Sequence, residues 1–182
     1  MEKLVKNILA LISFTLVASS TFAQSSNMYG EVSYGLVSTK DNASTKLGTW
    51  KPTLSRFVLG NVVSDNLAVE GFVTQGISKS TVTKSSVNYQ LSLETSYGLA
   101  LRPFYKVNND FEVFGRVGSY VNESKLKYST TNQSNTYYNA LYAVGTGYKI
   151  NDKMSVVVDY TKLSNKGNLI TSQTAVGLRY SF

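Results

Sequence analysis

The last fourteen residues, LITSQTAVGLRYSF (169–182), decide how the rest of the chain is read. Every second position from Ile170 gives Ile170, Ser172, Thr174, Val176, Leu178, Tyr180 and Phe182. The intervening set is Thr171, Gln173, Ala175, Gly177, Arg179 and Ser181. Successive side chains leave a pleated strand on opposite sides, so a period of two is the mark of a strand. One face grows apolar and aromatic toward the chain end, and the other is small or polar. A strand of that kind can stand between lipid and a polar interior, as every strand of a transmembrane β-barrel must.

The same alternation recurs upstream. Seven further segments read as strands: 28–38, 53–64, 67–79, 88–105, 111–128, 136–150 and 154–164. About ten tilted residues cross a bilayer as a strand, so each is long enough. The connections alternate in length. Those at 65–66, 107–110 and 151–153 are short and rich in Asn and Asp, which tolerate tight turns. Those at 39–52, 80–87 and 129–135 are longer and polar, and 165–168 is a modest fourth. Short turns at one end and long loops at the other are the pattern of an outer-membrane barrel. The expected fold is all-β, an eight-stranded antiparallel up-and-down transmembrane β-barrel, with both termini on the periplasmic side.

Alternation also assigns the faces. The charged residues that fall on the small, polar side are Glu31, Arg56, Glu70, Glu94, Arg102, Glu112, Arg116, Lys149, Asp159 and Arg179, five basic and five acidic. A charge facing lipid at mid-depth costs a few kcal/mol, so these residues are expected inside. The interior of an eight-stranded barrel is just wide enough for side chains, and a buried ion without a partner is costly. The expectation is an interior ion-pair network, with Glu112 and Lys149 near the rim. Glycines within strands, Gly60, Gly98, Gly118, Gly145, Gly147 and Gly177, make room for large inward neighbours such as Arg102 and Phe72.

Composition agrees. The chain has 182 residues, 13 tyrosines and only two prolines, and carries no Cys and no His. Without cysteine there is no disulfide, thiolate metal site or cysteine nucleophile. Without histidine the commonest general base and metal ligand is missing. Ser-His-Asp hydrolases and acyltransferases are thereby excluded, and no catalytic residue, cofactor or metal ligand is expected. Residues 1–23 read as a signal peptide: Lys3 and Lys6, an apolar run at 8–18, then Thr21-Phe22-Ala23 before a cut at Gln24. Residues 24–182 form the single barrel domain.

Beside that secretion signal, the closing strand, with Leu178, Tyr180 and a terminal Phe182, resembles the assembly signal of bacterial outer-membrane β-barrel proteins. The whole of 24–182 is similar in pattern to the small eight-stranded families typified by the OmpA transmembrane domain and the OmpX/Ail group. The resemblance implies an integral protein of the Gram-negative cell outer membrane, assembled by the barrel-assembly machinery and expected as a monomer.

The net charge is +7, and about +6 without the leader. Nine lysines fall on the long loops and strand tops: Lys40, Lys46, Lys51, Lys79, Lys84, Lys125, Lys127, Lys162 and Lys166, against Asp41 and Glu123. Basic groups on an outer surface suit an anionic partner. Behind a secretion signal, the expected partner is outer-membrane lipid, with lipopolysaccharide as its nearest anion, rather than nucleic acid; the alternative is a solvated loop surface with no partner. Aromatic residues at both strand ends suit two interfacial girdles: Tyr105, Phe111, Tyr148, Tyr180 and Phe182 at one, Trp50, Tyr89, Tyr128, Tyr137 and Tyr138 at the other. The functional expectation is a non-enzymatic barrel with a structural or surface-contact role. The alternative is a narrow channel or small-solute transporter. A soluble lipocalin-like barrel would require the opposite assignment of faces.

Overall fold

The computed structural model describes residues 27–41, 48–128, 131–163 and 169–182. The proposed signal peptide, 1–23, lies outside the described residues. Ten strands follow in order: β1 (Met28–Asp41), β2 (Thr49–Trp50), β3 (Thr53–Ser64), β4 (Leu67–Ser78), β5 (Ser80–Lys84), β6 (Val87–Lys106), β7 (Phe111–Tyr128), β8 (Thr131–Lys149), β9 (Met154–Leu163) and β10 (Leu169–Ser181). Eight of them form the barrel, each antiparallel to the next, and β10 returns to pair with β1 along its whole length. β2 and β5 are short additions at the rim, paired to β1 and β6.

The register fixes the shape. One row of partners runs Tyr29, Gly60, Glu70, Ala100, Gly118, Leu141, Leu163, Thr171 and back to Thr39. It returns to β1 ten residues beyond its start. Such a stagger in eight strands corresponds to a strand tilt of about 40°.

Burial follows the alternation. On β1 the residues from Glu31 to Lys40 alternate strictly, odd positions buried and even positions largely open. The outward face is a continuous apolar coat that includes Leu36, Leu99, Tyr142 and Val144, each more than half exposed. A large apolar surface turned away from the interior has to be covered by something other than water, and on a closed barrel that cover is lipid.

Two of the long loops are ladders instead. β5 and the start of β6 form a hairpin around a two-residue turn, Ser85-Ser86. β7 and β8 stay paired out to Tyr128 and Thr131. Residues 80–84 and 131–135 therefore belong to strands. They are rich in Thr, Ser and Asn, and pairing satisfies backbone groups that an open loop leaves to water. β6, β7 and β8, at 20, 18 and 19 residues, run well beyond their neighbours β4 and β9 and project as a sheet at the loop end of the barrel.

Trp50 also departs from its expected place in the girdle. It lies opposite Thr39, is 2% exposed, and donates its indole N–H to the Tyr89 carbonyl at 2.9 Å. Position 50 takes the inward side, and a buried indole N–H needs an acceptor.

Candidate functional site: the charged interior

Seven of the eight barrel strands send ionic side chains to one level of the interior. β1 supplies Glu31, β3 Arg56, β4 Glu70, β6 Arg102, β7 Glu112 and Arg116, β9 Asp159 and β10 Arg179. All but Glu112, whose side chain is 19% exposed, are buried. β8 contributes Ala143, Gly145 and Gly147 at that level instead. A Cβ on Gly147 would lie 2.9 Å from the Glu112 carboxylate, and one on Gly145 2.4 Å from the Phe114 ring. The missing side chains of β8 are the space that Glu112 and Phe114 occupy.

The eight groups alternate in sign around two fused rings. The larger runs Glu31, Arg116, Glu70, Arg102, Glu112, Arg179 and back to Glu31. The smaller runs Glu31, Arg56, Asp159, Arg116. Each charge touches at least two of opposite sign. Arg116 is the hub: its guanidinium lies 2.8 Å from Glu31, 2.6 Å from Glu70 and 2.9 Å from Asp159. Arg179 reaches Glu31 at 2.9 Å, Arg56 reaches it at 3.3 Å, and Arg102 lies 3.6 Å from Glu70. Four cations meet four anions, so the cluster carries no net charge. In a low-dielectric interior, multiple partners are what offset the desolvation of each ion.

Neutral groups complete the shell. The Tyr29 hydroxyl donates to Glu70 at 2.5 Å, and Thr161 donates to Asp159 at 3.0 Å. The guanidinium of Arg102 lies 4.4 Å from the Phe114 ring centre and 5.0 Å from that of Phe104; Arg179 lies 4.7 Å from that of Tyr29. These rings, with Ala68 and Val157, form an apolar floor toward the short turns. Val58, Phe72, Ala100, Tyr120 and Leu141 form a second apolar layer on the other side. Tyr29 shares the parity of Glu31 on β1, so alternation could have identified it as a partner. Thr161 likewise shares the parity of Asp159 two positions away on β9, so the same alternation places it inside.

Glu94 does not join the network. It sits where the β6–β7 register shifts between Leu93 and Ser96, and it pairs instead with Lys125 at 3.3 Å, its side chain 32% exposed. The bulge inserts residues and breaks the two-residue count that placed it inside. Lys149 is likewise outside the network: it bonds Asp152 at 2.9 Å in the adjoining turn and thereby holds that carboxyl below its ordinary range.

Lys40, Lys51, Lys79, Lys84, Lys125, Lys127 and Lys162 are all exposed. Lys46 and Lys166 lie outside the described residues. Asp41, counted with the loop charges, is buried at the end of β1. At the chain end, Leu178 and Tyr180 face outward. The Phe182 amide bonds the Met28 carbonyl at 3.1 Å, and the Phe182 ring stands edge-on to Tyr180 with centres 5.6 Å apart.

Residues 9–182 match the family model described as outer membrane protein beta-barrel domain. Among solved structures, the fold is similar to Neisserial surface protein A, with a TM-score of 0.66 and 14% identity over 85% of this chain and 97% of that one. It is similar to Ail, the attachment invasion locus protein of Yersinia pestis, with a TM-score of 0.65 and 14% identity over 87% and 100%. It is also similar to the N-terminal β-barrel domain of Pseudomonas aeruginosa OprF, with a TM-score of 0.55 and 10% identity over 84% and 97%. No curated protein matches it in sequence. At these identities the structures speak for the fold alone. With a closed barrel, an apolar coat and a family match over nearly its whole length, the chain belongs to the outer membrane protein beta-barrel domain family and is a barrel of the Gram-negative outer membrane.

Proposed function

We propose that this protein is a non-enzymatic outer-membrane barrel that presents a rigid polar surface to the cell exterior, with lipopolysaccharide and the surfaces of other cells as its contacts. The observation that carries this reading is the fused-ring ion network between two apolar layers. All four arginines and all four carboxylates are engaged with one another, so none is left to line a pathway or to act as acid or base. Work is then left to the end that projects. That end carries the exposed lysines Lys79, Lys84, Lys125 and Lys127 on β5, β7 and their flanks. The short-turn end, with both termini, faces the periplasm, and Leu178, Tyr180 and Phe182 serve as the signal read by the assembly machinery.

The test is a pair of measurements on the purified barrel. In planar bilayers it should give no frequent, stable openings. In vesicles containing lipopolysaccharide, replacing Lys79, Lys84, Lys125 and Lys127 with Gln should weaken the salt-sensitive contact with the glycolipid. Sustained conductance would instead favour the narrow-channel reading.

A further inference from the structure

The projecting sheet holds a cleft of about 470 Å³ lined by Thr81, Ser86, Val87, Asn88, Gln90 and Lys127. The register explains why these residues meet. Thr81 pairs with Gln90, and Gln90 with Lys127, so the three stand in one row across β5, β6 and β7. Thr83 pairs with Asn88 in the next row, where their side chains bond at 2.6 Å. The hairpin tip closes one end. Its turn residues Ser85 and Ser86 both adopt left-handed backbone, at φ 50° and 63°, in a turn where Asn-Gly is the relaxed choice. A strained turn in the wall of a cleft is a reason to ask what the cleft holds.

Height matters as well. Tyr97, Val121 and Tyr138 form an outward row, and both tyrosines are more than half exposed. Lys127 lies six residues further along β7, roughly 20 Å along the strand. That places the cleft well clear of the aromatic level. Its chemistry is one ammonium among hydroxyls and carboxamides. Lys125, one outward position below, is paired to Glu94, whereas among the described residues no carboxylate lies within ion-pair distance of Lys127. A polyanion would call for several cations together. One cation ringed by neutral donors and acceptors matches a single carboxylate on a ring that carries hydroxyls.

We propose that this cleft is a binding site for an acidic monosaccharide, its carboxylate on Lys127 and its hydroxyls on Gln90, Asn88 and Thr81. The proposal rests on the outward orientation inferred above only for where the sugar comes from. Acidic sugars occur in the lipopolysaccharide core of the same membrane and on the glycans of other cells.

The test is binding of N-acetylneuraminate and 3-deoxy-octulosonate, with glucose as the neutral control, to the barrel in lipid nanodiscs by saturation-transfer NMR. At least one acidic sugar should bind and glucose should not. Lys127→Gln should weaken binding by about tenfold, the usual scale for a charge-assisted contact. Gln90→Ala should weaken it less, and Lys162→Gln should leave it unchanged. Heat-modifiable gel migration checks that each variant is folded. Octulosonate binding alone assigns the site to the cell's own glycolipid, and neuraminate binding alone to foreign surfaces. Failure of both acids, equal binding of glucose, or an unaffected Lys127→Gln variant overturns the proposal. Orientation is read separately, by labelling Ser86→Cys on intact cells with an impermeant maleimide; absence of label overturns the orientation and leaves the site standing.

Discussion

The charged level of the interior and the projecting sheet hold their cations under opposite rules, arginines inside and lysines outside. Inside, four cations and four anions share two fused rings, and every ion has at least two partners. On the sheet, Lys79, Lys84 and Lys127 stand exposed to solvent. The difference is one of solvent. Water screens a surface lysine, so its sign and number are free to serve contact with a partner. The interior has no such screen, and each ion there constrains residues far along the chain, as Glu31 constrains Arg179 across 148 positions.

The sharpest way to break the comparison is to remove the hub. Arg116→Met leaves Glu31, Glu70 and Asp159 short of a cation and should cost about 3–5 kcal/mol, read as a lowered urea midpoint in detergent. A cost as small as that of a surface lysine would mean that the interior is wetter than the ion network implies. Next comes the space around the cluster. A Cβ on Gly60 would lie 2.2 Å from the Tyr29 ring. Gly60→Ala should therefore cost about 1–3 kcal/mol by overpacking, and Tyr29→Leu in the same chain should recover much of it. If the double variant is no better than the single, Tyr29 is not what fills that space.

Two smaller effects sharpen the outer half. Ser85→Asn with Ser86→Gly relaxes the left-handed turn and should stabilise the hairpin by about 0.5–1 kcal/mol, visible as slower amide exchange across β5 and β6. Lys125→Ala breaks the half-exposed pair with Glu94 and should change stability by less than about 0.5 kcal/mol. A penalty several times larger would show that the sheet follows the rule of the interior.

Much of the barrel was legible without coordinates. The closing strand and the parity of Glu31, Glu70, Arg102 and Arg179 follow from a period of two, because a residue's side of the sheet is a local property. The misplacements have separate causes. Glu94 was assigned by counting across a bulge, and the count fails where the ladder gains residues. Trp50 was assigned by its residue type rather than its parity. Segments 80–87 and 129–135 were read as loops from polar composition, but Thr is favoured in strands, and a paired neighbour satisfies the backbone beside Ser and Asn.

The sequence by itself determined that the chain is made of alternating strands, which face of each is greasy, and that the buried charges nearly cancel; each is set by residue order within one strand. Only the tertiary structure decided who pairs with whom. A stagger of ten residues around the cylinder brings Glu112 to Arg179. That displacement is a property of the closed sheet, shared by all eight barrel strands and written in none of them alone.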